Sequence, residues 1–437
     1  MEQGKHWVSV WGNAVSVAEN RPERYARDIT LRYPVISSFT TDSIRLTFDN
    51  IPSLLQTGET RAQWEARRSH LIRIIAETEY GCRPEMDYTV TAALRSEDHY
   101  PDETSLRRIV DITVSTALGS HSFPLYLFLP VREEKVPATL LICSQRRKPA
   151  PMKLPEGFSL SDLPALFAKM GIVMDGPMDT GGPSVPLDMA VNMDDGHWPV
   201  PQLLARGHAA AGFYATDAEP DAPDFLGGLA AVFGTKKEAR AETEWGVLAV
   251  WAFAAQCALD YLQTVPELDA ARIGVTGHSR CGKAALWAGV TDSRFAWVMP
   301  NNSGCCGAAL LRGKHGENMA SINALMPYWF APGFQNYVGR EDQLPFDQHT
   351  LLALVAPRLL HVASGSLDFW ADPIGEHRST VLAGEVYRLY GHEPLPPEFP
   401  DENTAVLSGA IGYHLRKGPH LLTAFDWMQL LDHIDLM

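Results

Sequence analysis

The stretch Gly277–Lys283 reads GHSRCGK and sets a serine, an arginine and a lysine within one helical turn of each other. A serine hydroxyl is a poor nucleophile at neutral pH. Chemistry at Ser279 therefore requires a base, a group that orients the base, and donors for a developing oxyanion. The flanking residues supply a frame for it. The apolar run Ile273–Thr276 ends at Gly277, Ser279 follows two residues later, and Cys281–Gly289 carries Ala, Leu and Trp at helical spacing. Strand, tight turn and helix together form a nucleophile elbow, which lifts the hydroxyl off the sheet edge and aims N–H groups of the helix start at it. The usual spelling, G-x-S-x-G, is half met, because the second glycine stands one place late at Gly282.

Serine hydrolases built on an α/β sheet carry their partners in the order serine, acid, histidine. After Ser279, the loop following the next strand offers Asn301 and Asn302 but no carboxylate. The loop after the strand beyond it, SGSLDFWADP, offers Asp368 and Asp372. Near the C-terminus, GYHLRKGPHLLTAFDW offers His414 and His420. Loop context favours His420, which follows Gly418-Pro419 and precedes an amphipathic helix.

The elements that must position these residues read as a mainly parallel sheet. Short apolar runs at Pro137–Cys143, Gly207–Ala215, Ile273–Thr276, Phe295–Met299 and Arg358–Ser364 have the character of strands buried on both faces, with Arg358–Ser364 the last clear core strand. Helical patterns alternate with them, at Thr60–Thr78, Val200–Arg206 and Thr243–Thr264 among others. Such alternation implies βαβ crossovers and a sheet covered on both sides, a three-layer αβα sandwich. Alternating strands are expected around Tyr88–Leu94, Leu106–Ala117 and Phe123–Pro130. Residues 145–200, rich in Pro, Gly, Met and Asp, have no clean period, and a loop of that length inside a compact domain is more often functional than idle. One α/β domain over residues 51–437 fits best. Residues 1–50 differ in character: WVSVWGNAVSV and IRLTFDN alternate like short strands and resemble the opening β-segment of bacterial SGNH-type esterases, an appended element without that family's catalytic signature.

Composition narrows the partners. The 437-residue chain has 46% hydrophobic and 20% charged residues, ordinary for a soluble globular protein, and a formal net charge of -15. That charge argues against nucleic acid as a partner, since such binding depends on excess Lys and Arg. No stretch approaches the roughly 18 apolar residues of a membrane span. The first residues show no secretory h-region, so the sequence as written reads as cytoplasmic. Six cysteines, without C-x-x-C spacing or a partnering pair of histidines, are expected to be free and mostly buried thiols rather than a zinc site.

Several further stretches are specific enough to resemble one family. AEPDAPDF (218–225), EWGVLAVWAFAAQCALDYLQT (244–264), GHSRCGKAALWAG (277–289), NNSGCCGAALLR (301–312), HGENMASINALMPYWF (315–330), LPFDQHTLLALVAPR (344–358), DFWADPIGE (368–376) and RKGPHLLTAFDW (416–427) occur in the order found in the glucuronoyl esterases, carbohydrate esterase family 15. The resemblance implies an α/β-hydrolase fold, no metal or organic cofactor, and hydrolysis of esters of (4-O-methyl)glucuronic acid such as lignin–glucuronoxylan cross-links. By position it makes Ser279 the nucleophile, His420 the general base and Arg280 the oxyanion arginine, with Lys283, Glu317 and Trp370 holding a uronate ring. Read as residues alone, Lys283 also fits a solvated helix face, Glu317 a surface salt bridge and Trp370 a core aromatic.

The sequence departs from the fungal pattern in two places. Asn302 stands where many fungal members carry the catalytic glutamate, so the acid role falls to Asp368, the alternative position of bacterial members, and Asp372 is left as a turn cap. His278 replaces the cysteine that precedes the fungal serine, removing that disulfide. The absent secretion signal also contrasts with a family whose members are usually secreted or periplasmic. Two rival activities follow from the same cleft: deacetylation of acetylated xylooligosaccharides, or sugar binding by an inactive hydrolase.

Overall fold

The computed structural model describes residues 51–100, 103–144, 197–313 and 316–437, together with the backbone of residues 5–10 and 13–18. The N-terminal strands β1 (Lys5–Val10) and β2 (Asn13–Ala18) pair as an antiparallel hairpin. The expected strand at 44–50 and the long 145–200 loop, apart from its last four residues, lie outside the described residues.

A single ten-stranded sheet carries the rest of the chain. Its members are β3 (Tyr88–His99), β4 (Ser105–Thr116), β5 (Gly119–Pro130), β6 (Val136–Cys143), β7 (Ala209–Tyr214), β8 (Leu268–His278), β9 (Trp297–Asn301), β10 (Leu359–Gly365), β11 (Thr404–Ser408) and β12 (Ile411–Arg416). They lie in the order β11-β12-β10-β9-β8-β6-β7-β5-β4-β3. The block from β7 to β12 is parallel throughout, while β3, β4, β5 and β11 pair antiparallel at its two sides. This is the α/β-hydrolase fold.

The alternation of strand side chains builds the three layers. On β6, Leu140 and Ile142 enter one apolar cluster, and Leu141 and Cys143 enter the other. The first cluster holds helices α2 (Val247–Leu262) and α3 (Arg280–Thr291); the second holds α5 (Ala424–Asp435) through Trp427, Leu430, Leu431 and Ile434. Helix α2 is apolar on nearly every side and is correspondingly buried all round. It starts at Val247, later than its periodicity suggests, because Trp245 and Gly246 donate their amides to Cys82 and Tyr80. Helix α1 (Arg61–Ile75) begins at a capping box in which Thr60 and Gln63 satisfy each other's amides.

Two core elements depart from expectation. Arg358–Ser364 is not the last core strand, since β12 lies beyond it and is buried at every residue. Its sequence, IGYHLR, carries a histidine and an arginine, so a scan for apolar runs passes over it. Helix α4 (Pro373–Arg388) also escapes such a scan; it follows Asp372, which adopts φ 65° and accepts a 2.9 Å hydrogen bond from the Gly375 amide.

Candidate active site

Strand order determines which loops meet. Ser279, Asn302, Asp368 and His420 each follow the carboxyl end of a parallel strand, and those strands, β8, β9, β10 and β12, are consecutive neighbours. The register aligns the ends: His278 pairs with Asn301, Asn301 with Ala363, and Ala363 with His414. Four loops scattered over the last third of the chain are thereby set side by side.

The elbow is held by its backbone. Ser279 sits at φ 59° and ψ -125°, a conformation costing about 1–3 kcal/mol for a non-glycine residue. Its amide donates 2.9 Å to the Asn301 carbonyl, and the Gly282 and Lys283 amides turn back to its own carbonyl. The first amides of α3, those of Arg280 and Cys281, have no intrahelical acceptor by helix geometry, which makes them candidate donors to an oxyanion at Ser279. A Cβ on Gly277 would lie 2.2 Å from the Cys281 carbonyl oxygen, and one on Gly282 would lie 3.0 Å from the carbonyl oxygens of Asn301 and Gly277. The glycine one place late therefore does the work of a close approach.

The acid and base meet directly. His420 Nδ1 lies 2.5 Å from Asp368 Oδ2. The same oxygen accepts a 2.5 Å bond from the Asn302 amide, while Oδ1 accepts 3.2 Å from the Ala371 N–H. Burial opposes charge on Asp368, but the neighbouring His420 and the hydrogen bonds from His420, Asn302 and Ala371 outweigh it and hold the carboxyl below the ordinary range. A carboxylate at Nδ1 fixes the imidazole tautomer, so that Nε2 is the nitrogen able to take a proton. Asn302 thus serves the acid as a donor. The other histidine candidate, His414, lies within β12 and is fully buried away from this contact.

Around the elbow the cations are buried, contrary to a solvated helix face. Arg280 Nη1 donates 2.5 Å to Asp221 Oδ2, and its guanidinium lies 5.1 Å from the centre of the Trp329 ring. Burial would lower the Arg280 pKa, yet the Asp221 carboxylate overrides it and the group is held above its ordinary value. Lys283 Nζ donates 2.6 Å to the Ser303 carbonyl and 3.4 Å to Glu317 Oε2. An ammonium has three donors, so two of them are engaged here. Glu317 in turn donates its amide to the Trp370 carbonyl at 2.9 Å, which brings the lysine, the glutamate and the tryptophan into one contiguous group.

Two residues beside the site carried no role from sequence. Asp221 accepts from Arg280, from the Tyr328 hydroxyl at 3.1 Å and from the Trp329 indole at 2.7 Å. Its stretch, AEPDAPDF, has no period, and its resemblance to the family gave the residue no role. His278, next to the serine, bonds Asn301 Oδ1 through Nδ1 at 2.6 Å and lies ring to ring with His420, centroids 4.4 Å apart. Burial first, then the neighbouring His420 and His197, push His278 well below the ordinary histidine range, so it is a neutral ring.

Known proteins are similar to this chain. The family model "Glucuronyl esterase, fungi" matches residues 237–391. The structure of a promiscuous esterase of carbohydrate esterase family 15 from a marine bacterial metagenome superposes with a TM-score of 0.73 and 31% identity, covering 91% of this chain and 99% of that one. Carbohydrate esterase MZ0003, from an unknown prokaryotic organism, is 41% identical over 241 residues, 55% of this chain and 56% of its own length. A 4-O-methyl-glucuronoyl methylesterase of Podospora anserina is 33% identical over 156 residues, 33% of this chain and 32% of that protein. The chain thus spans about half the length of the first of these curated relatives and a third of the second. With the fold, the elbow and the near full-length structural match in agreement, the chain belongs to carbohydrate esterase family 15, the glucuronoyl esterases.

Proposed function

We propose that the protein is a serine carboxylic ester hydrolase acting on esters of (4-O-methyl)glucuronic acid. The observation that carries this reading is the 2.5 Å contact between His420 and Asp368, on loops adjacent to the strained elbow of Ser279. The names of the relatives support the substrate class. In this reading His420 Nε2 removes the Ser279 proton as the hydroxyl oxygen attacks the uronoyl carbonyl. The oxyanion gathers charge beside Arg280 and the first amides of α3, where fixed donors act without reorganisation. The alcohol departs with the proton from His420, and water, deprotonated by the same ring, releases the glucuronate from Ser279.

Lys283, Glu317 and Trp370 serve the acid side of the ester. A third Lys283 donor and the Glu317 carboxylate suit the hydroxyls of a pyranose, and Trp370 supplies a flat wall. An acetyl group has no such hydroxyls, which is why the uronate is preferred over an acetylated sugar.

Hydrolysis of benzyl glucuronate by the wild type and by Ser279→Ala tests the proposal. A loss of about 10⁴-fold or more is expected for the variant. Equal rates in the two would remove Ser279 from the reaction, and faster turnover of acetylated xylooligosaccharides than of the glucuronate ester would transfer the substrate to the deacetylase reading.

A further inference from the structure

Behind His420 lies a second polar network that the reaction above does not use. It begins at the Gly409 carbonyl, which faces His433 Nε2 at 2.7 Å. His433 Nδ1 lies 2.9 Å from His361 Nδ1, His361 Nε2 lies 2.7 Å from His414 Nδ1, and His414 Nε2 lies 2.8 Å from Asp426 Oδ1. All three rings are fully buried, supplied by α5, β10 and β12.

The chain can be counted for protons. Its four contacts need one hydrogen each, and both ends, a carbonyl and a carboxylate, only accept. Three neutral imidazoles carry three hydrogens, so a complete chain holds a fourth. Asp426 does not hold it: Oδ2 already accepts from Arg416 Nε, the Thr423 amide and the Thr423 hydroxyl at 2.8–3.0 Å. Although burial opposes its charge, His414, Arg416 and Thr423 keep the Asp426 carboxyl low. Burial together with the flanking rings pushes His361 down, and burial pushes His433 down. The charged groups at this end of the chain are Asp426 and Arg416.

Arg416 connects this network to the catalytic loop. With Nε on Asp426, its Nη2 donates to the carbonyls of Pro419 at 2.7 Å and Leu421 at 2.8 Å, the residues on either side of His420. Nη1 donates 3.2 Å to the Lys417 carbonyl. Space for the clasp is made by Gly365 at the end of β10, where a Cβ would stand 2.6 Å from the Pro419 carbonyl oxygen. The acid loop is stitched to the same turn, since the Leu367 amide donates 2.9 Å to the Gly418 carbonyl.

We propose that Arg416 is the positioning residue of His420, seated by the Asp426 carboxylate at which the His433–His361–His414 chain ends. The inference rests on the reading of His420 as the base. Arg416 sets the backbone from which the imidazole reaches Asp368.

Arg416→Lys keeps the charge and loses the fork that grips two carbonyls. Its kcat on benzyl glucuronate is expected to fall about 10- to 100-fold with KM within about twofold, as for a base displaced by less than an ångström. Labelling of Ser279 by a fluorophosphonate is expected to slow in proportion. Arg358→Lys is the control: its guanidinium also clasps backbone carbonyls, those of Gly289, Asp292 and Phe295, but away from the His420 loop. That variant is expected to lower Tm and leave kcat unchanged. Asp426→Asn provides a second reading if Arg416→Lys does not fold, with the same kcat loss expected. At pH 7.5, ¹⁵N shifts of labelled histidine, assigned by single substitutions, are expected to show four ring hydrogens shared among His361, His414 and His433.

An Arg416→Lys enzyme within about threefold of wild-type kcat, or a loss matched by Arg358→Lys at equal Tm, would overturn the positioning role. Three neutral rings would overturn the proton count. A wild type that labels with the phosphonate but does not cleave the glucuronate ester would sink the substrate assignment alone, and the labelling rates would still decide the role of Arg416.

Discussion

The Ser279 elbow and the His420 loop lie beside each other and are built in opposite ways. At the elbow the backbone does the placing. Two glycines admit close carbonyls, a left-handed serine links strand to helix, and the amides of Ser279, Gly282 and Lys283 are bound by neighbouring carbonyls. At the His420 loop the side chains do it, through Arg416, Asp426 and the histidines behind them. A backbone device depends on a few residues close in sequence and so leaves a motif. A side-chain device draws on three separate elements and leaves only isolated polar residues inside strands and helices.

That contrast is broken most sharply at the joint between the two regions. Asp368→Asn removes the charge facing His420 while leaving both loops anchored, so its effect belongs to chemistry. A kcat loss of about 10³- to 10⁴-fold is expected, with Tm at neutral pH lowered only modestly, by the lost contribution of the charged carboxylate. The fold is retained because the Asn302 amide can flip and accept from the new donor. A large drop in Tm would instead mean that the acid, and not Arg416, is what holds the histidine loop.

A smaller effect is expected one step back from the elbow. Asp221 grips Arg280, Tyr328 and Trp329 at once. Asp221→Asn leaves the guanidinium buried without its counter-charge, and both stability and activity suffer. Loss of kcat by about 10- to 100-fold with a lowered Tm is expected. If kinetics on benzyl glucuronate showed only a raised KM, Arg280 would be a binding residue rather than a stabiliser of the oxyanion.

The same division decides what could be read from the chain. Ser279, its strand and its helix were legible because local spacing determines them. The parallel sheet was legible because strands buried on both faces are apolar runs. β12 was not, since His414 and Arg416 interrupt the run and their burial depends on Asp426, which follows on another element. Asp221 was invisible as a partner because its contacts to Arg280 and Trp329 close over long sequence separations. Lys283 and Glu317 were matched to the family by position, whereas only the fold shows that they are buried and paired.

Two buried carboxyls sharpen the comparison through pH. Asp368, surrounded by donors, has its native pKa below the unfolded value of about 4. Its contribution to stability is present above that value and disappears as pH falls through the native one. Glu79 is fully buried and accepts from Gln348, but burial, reinforced by the Asp347 charge, raises it to about 8 against the opposing effects of Gln348, Cys306 and Lys283. The folded chain therefore keeps a proton that the unfolded chain releases above about pH 4.5, and this stability is lost as pH rises through about 8. Glu79→Gln should shrink the difference between urea midpoints at pH 5 and pH 8; Glu219, likewise raised to about 8 by burial, would retain its own share. An unchanged difference would mean that Glu79 is ionised in the fold.

The smallest effect tests whether the elbow stores strain in its backbone. At φ 59° and ψ -125°, Ser279 occupies a region that glycine enters without a Cβ penalty. Ser279→Gly should therefore raise stability by about 1 kcal/mol relative to Ser279→Ala, with both variants inactive. The comparison between the two inactive proteins removes the hydroxyl from consideration, leaving only the conformational term. Because glycine also gains freedom in the unfolded chain, a net gain can arise only if the strain relieved exceeds that entropy. A thermal midpoint for Ser279→Gly below that of Ser279→Ala would show that the elbow is placed by its neighbours with too little strain to offset the entropy of glycine.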